Sequence, residues 1–223
     1  MFNAIRDIPA PKCLSRKIYN HESVVTALHT IFHGKCYLCE QDELSDAEIE
    51  HFIPHGGKPE LKYDWNNLFL ACSRCNSIKS DKFSDLIDCT DNTVLAFEEI
   101  IHLAGNCVSG EIEIRARDAN SSVKVINTVE LLSACYNCED SSLRKISKES
   151  LMEKIQGHFM LWTKWRMILI GKQSSNDEIA EAKEKIKIMC ASNYPFSACW
   201  RWHVLKDGRI ERKFPNIRAD LGF

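Results

Sequence analysis

No apolar run reaches the roughly 18 residues that a membrane-spanning helix needs, so no membrane association is expected. The amino terminus, MFNAIRDIPAPKCL, lacks an apolar core followed by a small-residue cleavage site, and no secretory signal is expected. An excess of positive charge is missing as well. The 29 Lys and Arg residues meet 31 Asp and Glu, for a formal net charge of -2, without the global basic field that many nucleic-acid binders carry. That argues against tight, independent binding to DNA and leaves room for a locally basic site or for affinity supplied by a partner. Internal repeats and low-complexity tracts are also absent. The 223 residues, 44% hydrophobic and 27% charged, suit an ordinary globular chain of one large domain, or one small domain with an extension.

Cysteine is abundant by contrast. Eleven cysteines in a chain without a secretory signal point to a reducing, cytoplasmic setting, where thiols bind metal or stay buried. Four of them form two knuckles, Cys36-Tyr-Leu-Cys39 and Cys72-Ser-Arg-Cys75, with 32 residues between them. A Cys-x-x-Cys turn aims two thiolates at one point, and two such turns complete a tetrahedral zinc site with no open position. Zn2+ held there is a structural staple, so any chemistry must come from the segment between the knuckles. Cys135-x-x-Cys138 repeats the spacing, but no further knuckle follows. With Cys190 and Cys199 it could in principle make a second zinc site, but the favoured reading is buried or surface free thiols, as for Cys13, Cys89 and Cys107.

Along the chain, Val24, Val25, Leu28, Ile31 and Phe32 recur at helical spacing, predicting a helix from His21 to Phe32 that Gly34 ends. Glu40 to Ala47 reads as a turn and an acidic surface excursion. Glu48 to Ile53 reads as a short strand stopped by Pro54. Tyr63 to Leu70 leads back to the second knuckle, and a short helix is expected from Ser73 to about Lys82. Further on, Asp88 to Glu98 reads as loop and short strand, and Glu111 to Arg115 as a strand after a Ser109-Gly110 turn. Val123 to Leu132 fits strand or helix. Helices are expected from Ser141 to about Gly171, through Leu143 and Ile146, and from Glu178 to Met189 behind a Ser175 N-cap region. Tyr194 to Leu205 is aromatic and mixed, and Trp162, Trp165, Trp200 and Trp202 suit a core or a partner interface. The expected division is an N-terminal segment and helix over 1-33, a core over 34-90, and a mainly helical region over 91-223.

Between the knuckles and just after the second lie side chains that suit phosphodiester hydrolysis. Glu50 offers an anionic oxygen and Asn76 a neutral one, a pair matched to Mg2+ or Mn2+. His51 can take a proton from water near neutral pH. Adjacent strand residues point to opposite faces, so Glu50 and His51 can cooperate only where the strand ends or turns. Lys79, one turn after Asn76, suits a phosphate, with Lys82 and His55 as further substrate contacts.

The run Cys36-x-x-Cys39, Glu50-His51-x-x-Pro54, Trp65-x-Asn67-Leu68 and Cys72-x-x-Cys75-Asn76-x-x-Lys79 resembles the motif of HNH nucleases, the zinc-stapled branch of the ββα-metal fold. The resemblance implies an α+β chain, with a ββα-metal core and a four-cysteine zinc staple embedded in a mostly helical body. It implies Glu50 and Asn76 as ligands of the catalytic metal, His51 as general base, and Asn67 as the residue that orients the base by bridging the loop. Some members carry histidine where Glu50 and Asn76 stand, and the two oxygen ligands favour Mg2+ over softer metals. Residues 32 to 83 are further similar to the HNH subunit of Septu-type (PtuB-like) antiphage systems and to retron-associated HNH proteins. That likeness implies cleavage of DNA together with an ABC-type, PtuA-like ATPase subunit, whose complex sets the oligomeric state. The rival reading is a non-catalytic four-cysteine zinc finger that binds nucleic acid or protein.

Overall fold

Helix α1 (Glu22–Ile31) buries Val24, Leu28 and Ile31, one stripe at helical spacing, in a computed structural model that describes residues 1–104, 111–138 and 148–223. The chain leaves the helix through His33, whose positive φ of 55° lets the Gly34 N–H reach the His29 carbonyl at 2.7 Å. Gly34 follows at a φ of 69°, and a Cβ there would meet the exposed His29 ring at 2.9 Å, so that ring would have to shift.

Strand β1 (Ala47–His51) pairs antiparallel with β2 (Leu68–Cys72), in a register running from Ala47 opposite Cys72 to His51 opposite Leu68. The short helix α2 (Pro59–Lys62) lies in the connection, with Pro59 in its first turn, where a missing N–H costs nothing. Helix α3 (Ser73–Lys79) follows β2 without a loop and packs across both strands, giving the ββα unit. Every residue of β2 is buried, so it reads as a continuous apolar run rather than an alternating one. β1 is half-buried and does alternate in what it touches.

A second antiparallel hairpin joins β3 (Ile100–Ala104) to β4 (Ile112–Ala116), preceded by the one-turn helix α4 (Ala96–Glu99). Strand β3 falls beyond the segment where a short strand was expected, because Ile100, Ile101, His102 and Ala104 are all buried and leave no period-2 signal. The open choice at Val123 resolves to helix: α5 (Val123–Asn137) buries Val125, Thr128, Leu131, Leu132, Cys135 and Tyr136 at helical spacing. Ser122 caps it, accepting from the Val125 N–H at 3.4 Å.

The described residues from 148 onward are mainly helical. They form α6 (Lys148–Ile170), α7 (Asn176–Cys190), α8 (Ser197–Lys206), α9 (Gly208–Lys213) and α10 (Ile217–Leu221). A reciprocal Ser175–Glu178 capping box starts α7, where the sequence pattern placed the helix start. Trp162, Trp200 and Trp202 are core residues, and Trp165 is partly buried. Residues Cys107, Ser109, Gly110, Leu143 and Ile146, which carried earlier expectations, lie outside the described residues. Among the described residues no helix is long and apolar enough to cross a membrane. The architecture is α+β, a ββα core with a helical body.

One expectation is corrected. Glu40 and Gln41 do not begin a surface excursion but are 0% and 2% exposed. The Glu40 carboxylate meets the Met1 amine at 3.3 Å and Lys35 at 3.7 Å, and accepts from Ser197 Oγ at 3.0 Å and the Ala198 N–H at 3.3 Å. Burial alone pushes this carboxyl up, yet the two ammonium groups outweigh it and bring it down to about 2. Lys35 also donates to the Tyr194 carbonyl, and the Tyr136 hydroxyl to the Cys39 carbonyl. The first knuckle is thereby tied to α5 and α8.

Candidate active site

The two knuckles meet. The sulfurs of Cys36, Cys39, Cys72 and Cys75 all lie within 4.8 Å of one another, with Cys39 and Cys72 at 3.9 Å, and all four residues are buried. Tetrahedral zinc with Zn–S bonds of ~2.3 Å sets sulfurs about 3.8 Å apart, so the cluster has the dimensions of a zinc site. The four thiols are buried together and hydrogen-bonded to one another, a donor set that suits a soft cation held by thiolates. Local backbone contacts set the geometry: the Tyr37 N–H donates to the Leu70 carbonyl at 2.9 Å, hooking the first knuckle onto β2, and Cys72 is itself the N-cap of α3.

Cys135 on α5 is hydrogen-bonded to Cys75 but is not one of the converging four. Cys138, just past α5, is partly exposed, while Cys13, Cys89, Cys190 and Cys199 are buried and outside any disulfide. Among the described residues no other group of three or more metal-ligating side chains converges.

β1 and α3 face each other through four polar side chains. Glu48 and Glu50, two apart on the strand, share a face. Asn76 and Lys79, three apart on the helix, share another. Asn76 Nδ2 donates to Glu48 Oε2 at 2.5 Å, and Lys79 Nζ to Glu50 Oε1 at 2.6 Å. Burial raises the Glu50 carboxyl above its ordinary value, with Lys79 opposing. Asn76 gives its amide N–H to Glu48, which leaves its carbonyl oxygen to a ligand. Glu50 and Asn76, the expected metal-binding oxygens, therefore lie on one strand–helix interface, with Glu48 as an acidic neighbour that the sequence reading passed over. The signal for Glu48 was its two-residue spacing from Glu50.

Lys79 requires a correction. Its side chain is fully buried, and it donates both to Glu50 and to the His51 carbonyl at 3.0 Å. It pins the Glu50-His51 pair from inside and has no surface with which to meet a phosphate. Lys82 is exposed, and His55 is partly exposed.

His51 is the last residue of β1. Its Nε2 lies 3.0 Å from the Lys62 carbonyl, so the ring donates there and Nδ1 keeps the lone pair in the neutral form. Its ring packs against Tyr19 at 5.0 Å and His55 at 4.6 Å between centroids. Burial lowers its pKa, with the Lys62 carbonyl opposing and the charges of His55, Lys62 and Lys79 adding to the fall. Neither Tyr19 nor the Lys62 carbonyl was foreseeable from a motif, since one is far in sequence and the other is backbone.

Asn67 spans the loop after β1. Its Oδ1 accepts from the Ile53 N–H at 2.7 Å, its Nδ2 donates to the carbonyls of Ile53 and Leu61 at 2.9 Å each, and its backbone carbonyl accepts from Phe52 at 2.9 Å. All its side-chain contacts are to backbone, so it holds the 53–61 segment, and with it the Lys62 carbonyl, against the strand end.

Comparisons with known proteins agree with this geometry. Residues 36–82 match the family model described as HNH endonuclease. The chain is similar to a Septu protein PtuB of Bacillus thuringiensis, 29% identical over 97 residues, which cover 42% of this chain and 38% of that protein. A Septu protein PtuB of Bacillus mycoides (strain KBAB4) is 38% identical over 73 residues, covering 26% of this chain and 25% of that protein. The chain thus matches well under half the length of these curated relatives.

Proposed function

From residues 36–82 as an HNH endonuclease domain, consistent with the Septu type, we propose that the protein is a metal-dependent endonuclease that hydrolyses phosphodiester bonds of DNA. The observation that carries this is the His51 imidazole at the strand end, with Nε2 occupied by the Lys62 carbonyl and Nδ1 left as proton acceptor. In this reading His51 takes the proton of the attacking water, and its burial-lowered pKa keeps it neutral and competent near neutral pH. Asn67 holds the loop that presents the Lys62 carbonyl, acting as a positioning residue. Glu50 and Asn76 would hold Mg2+ or Mn2+, which supplies charge stabilisation to the phosphate and its leaving oxygen. Lys79 keeps the Glu50 carboxylate in place on the protein side. The four cysteines would carry Zn2+ as a structural ion, coordinatively closed and away from the chemistry.

By its likeness to Septu proteins the chain would act in antiphage defence beside an ABC-type, PtuA-like ATPase. The test is DNA cleavage with Mg2+ or Mn2+, with and without that ATPase, by the protein and by its His51→Ala variant. Loss of a general base costs about 10²- to 10⁴-fold in rate, and a fall of that size with zinc content and fold unchanged is expected. Cutting by His51→Ala at the unsubstituted rate would overturn the assignment. DNA affinity with no cutting under any condition would favour the zinc-finger binding module.

A further inference from the structure

Outside residues 36–82, two adjoining grooves of about 510 Å³ and 830 Å³ run between α6 and the α8–α9 corner, sharing Arg166, Arg209 and Arg212 as walls. Lys206 lines the first, and Lys172 and Lys213 the second. Six basic side chains therefore face one continuous trough on a chain whose formal net charge is -2.

Of the two acidic residues in these walls, one neutralises a cation of the trough and the other pairs outside it. Asp207 is ion-paired with Arg166 and caps α9 through the N–H groups of Arg209 and Ile210. Glu113 pairs with Arg115 at 2.7 Å. His203, in the first groove, is held neutral by burial, its pKa down to about 4. Lys213 caps the end of α6, donating to the Leu169 carbonyl at 2.9 Å. Lys172, Arg209 and Arg212, by contrast, are exposed, and among the described residues their side-chain cations meet no carboxylate within ion-pair distance. Lys206 is exposed and lies over the Trp202 ring, a contact that leaves its charge unneutralised. Arg209 and Arg212 are three residues apart on α9, so their guanidinium groups project side by side.

We propose that this trough binds the sugar–phosphate backbone of the DNA, as a docking surface separate from the ββα site. The cations left without a carboxylate partner, Lys172, Lys206, Arg209 and Arg212, suit a polyanion's backbone and read no sequence. The identification of the polyanion as DNA rests on the nuclease reading above. The trough also supplies what the overall charge lacks, a local positive field on a chain that is globally slightly acidic.

The test is fluorescence anisotropy of a labelled DNA duplex of about 30 base pairs across a salt series. His51→Ala is the background, so that cutting does not intervene. Into it go Arg209→Glu with Arg212→Glu, and separately the neutral pair Arg209→Gln with Arg212→Gln, each checked for zinc content and circular dichroism. The expected result is an affinity at least 10-fold weaker for the Glu pair and intermediate for Gln, with the log–log salt slope reduced by about 2. Unchanged affinity and slope in a folded variant overturn the proposal, as does failure of the parent to bind DNA. If DNA affinity is unchanged while retention of the ATPase partner is lost, the trough serves a protein and the proposal also falls. Cleavage by the His51→Ala parent would sink the nuclease mechanism alone, and the binding comparison between parent and Arg variants is then made without added Mg2+ or Mn2+.

Discussion

At β1 and α3 the strand carboxylates at positions 48 and 50 meet helix residues at 76 and 79, so each acid has its own partner. The longer lysine reaches the deeper acid, Glu50, and the shorter asparagine takes Glu48. A buried ion pair of this kind is a weak source of net stability but an expensive one to break from one side. Lys79→Ala is accordingly expected to destabilise the protein by about 3–5 kcal/mol, because it strands the Glu50 charge. Adding Glu50→Ala should return part of that loss, and a double-mutant cycle by denaturant unfolding measures the coupling. An unchanged unfolding midpoint for Lys79→Ala, accompanied by weaker DNA binding, would restore it to a phosphate contact. From sequence the types Glu50, His51, Asn67 and Asn76 were legible because the motif spaces them. The fate of Lys79 was not, since an exposed and a buried lysine look alike until the strand it faces is known.

Elements around the knuckles end on the cysteines that would hold zinc. Cys72 closes β2 and caps α3, and Tyr37 ties the first knuckle to β2, so the ββα unit is built from short elements joined at these four thiols. A 7-residue helix has little stability of its own. Removal of zinc by a chelator, or Cys39→Ser, is therefore expected to unfold residues 36–82 and lower the thermal midpoint, since binding energy at such sites is folding energy. The measurement is zinc stoichiometry beside near- and far-ultraviolet circular dichroism, and a metal-free protein with an unshifted midpoint would contradict it. Helices α1 and α7 were readable from their apolar stripes and caps. Strand β3 was not, because burial on both faces erases the alternation that marks a strand. Helix α5 was ambiguous because its β-branched Val123, Val125, Ile126, Thr128 and Val129 suit a strand, and packing on β4 and α3 decided for helix.

Across the whole molecule, Glu40 joins parts of the chain that are far apart in sequence: the Met1 amine, Lys35 beside the first knuckle, and Ser197 and Ala198 at the start of α8. Glu40→Ala would leave two buried cations uncompensated and is expected to cost about 3–5 kcal/mol, seen as a lowered unfolding midpoint. Glu40→Gln, which keeps the bonds to Ser197 and Ala198 but not the charge, should lose less. Equal loss in both variants would mean that charge, and not hydrogen bonding, holds this junction.

What the residue order determined by itself was local. Two Cys-x-x-Cys turns can bring four thiolates to one point whatever surrounds them, and a strand, a loop and a short helix between those turns leave few arrangements besides ββα. Only the tertiary structure decided which acid pairs with Asn76 and which with Lys79, that Glu40 lies inside, and that Arg166, Lys172, Lys206 and Arg209 share one trough. Spacing along a chain sets distances within a turn or a strand. Charges brought together from separate helices acquire their partners, their burial and their common field only when those helices pack.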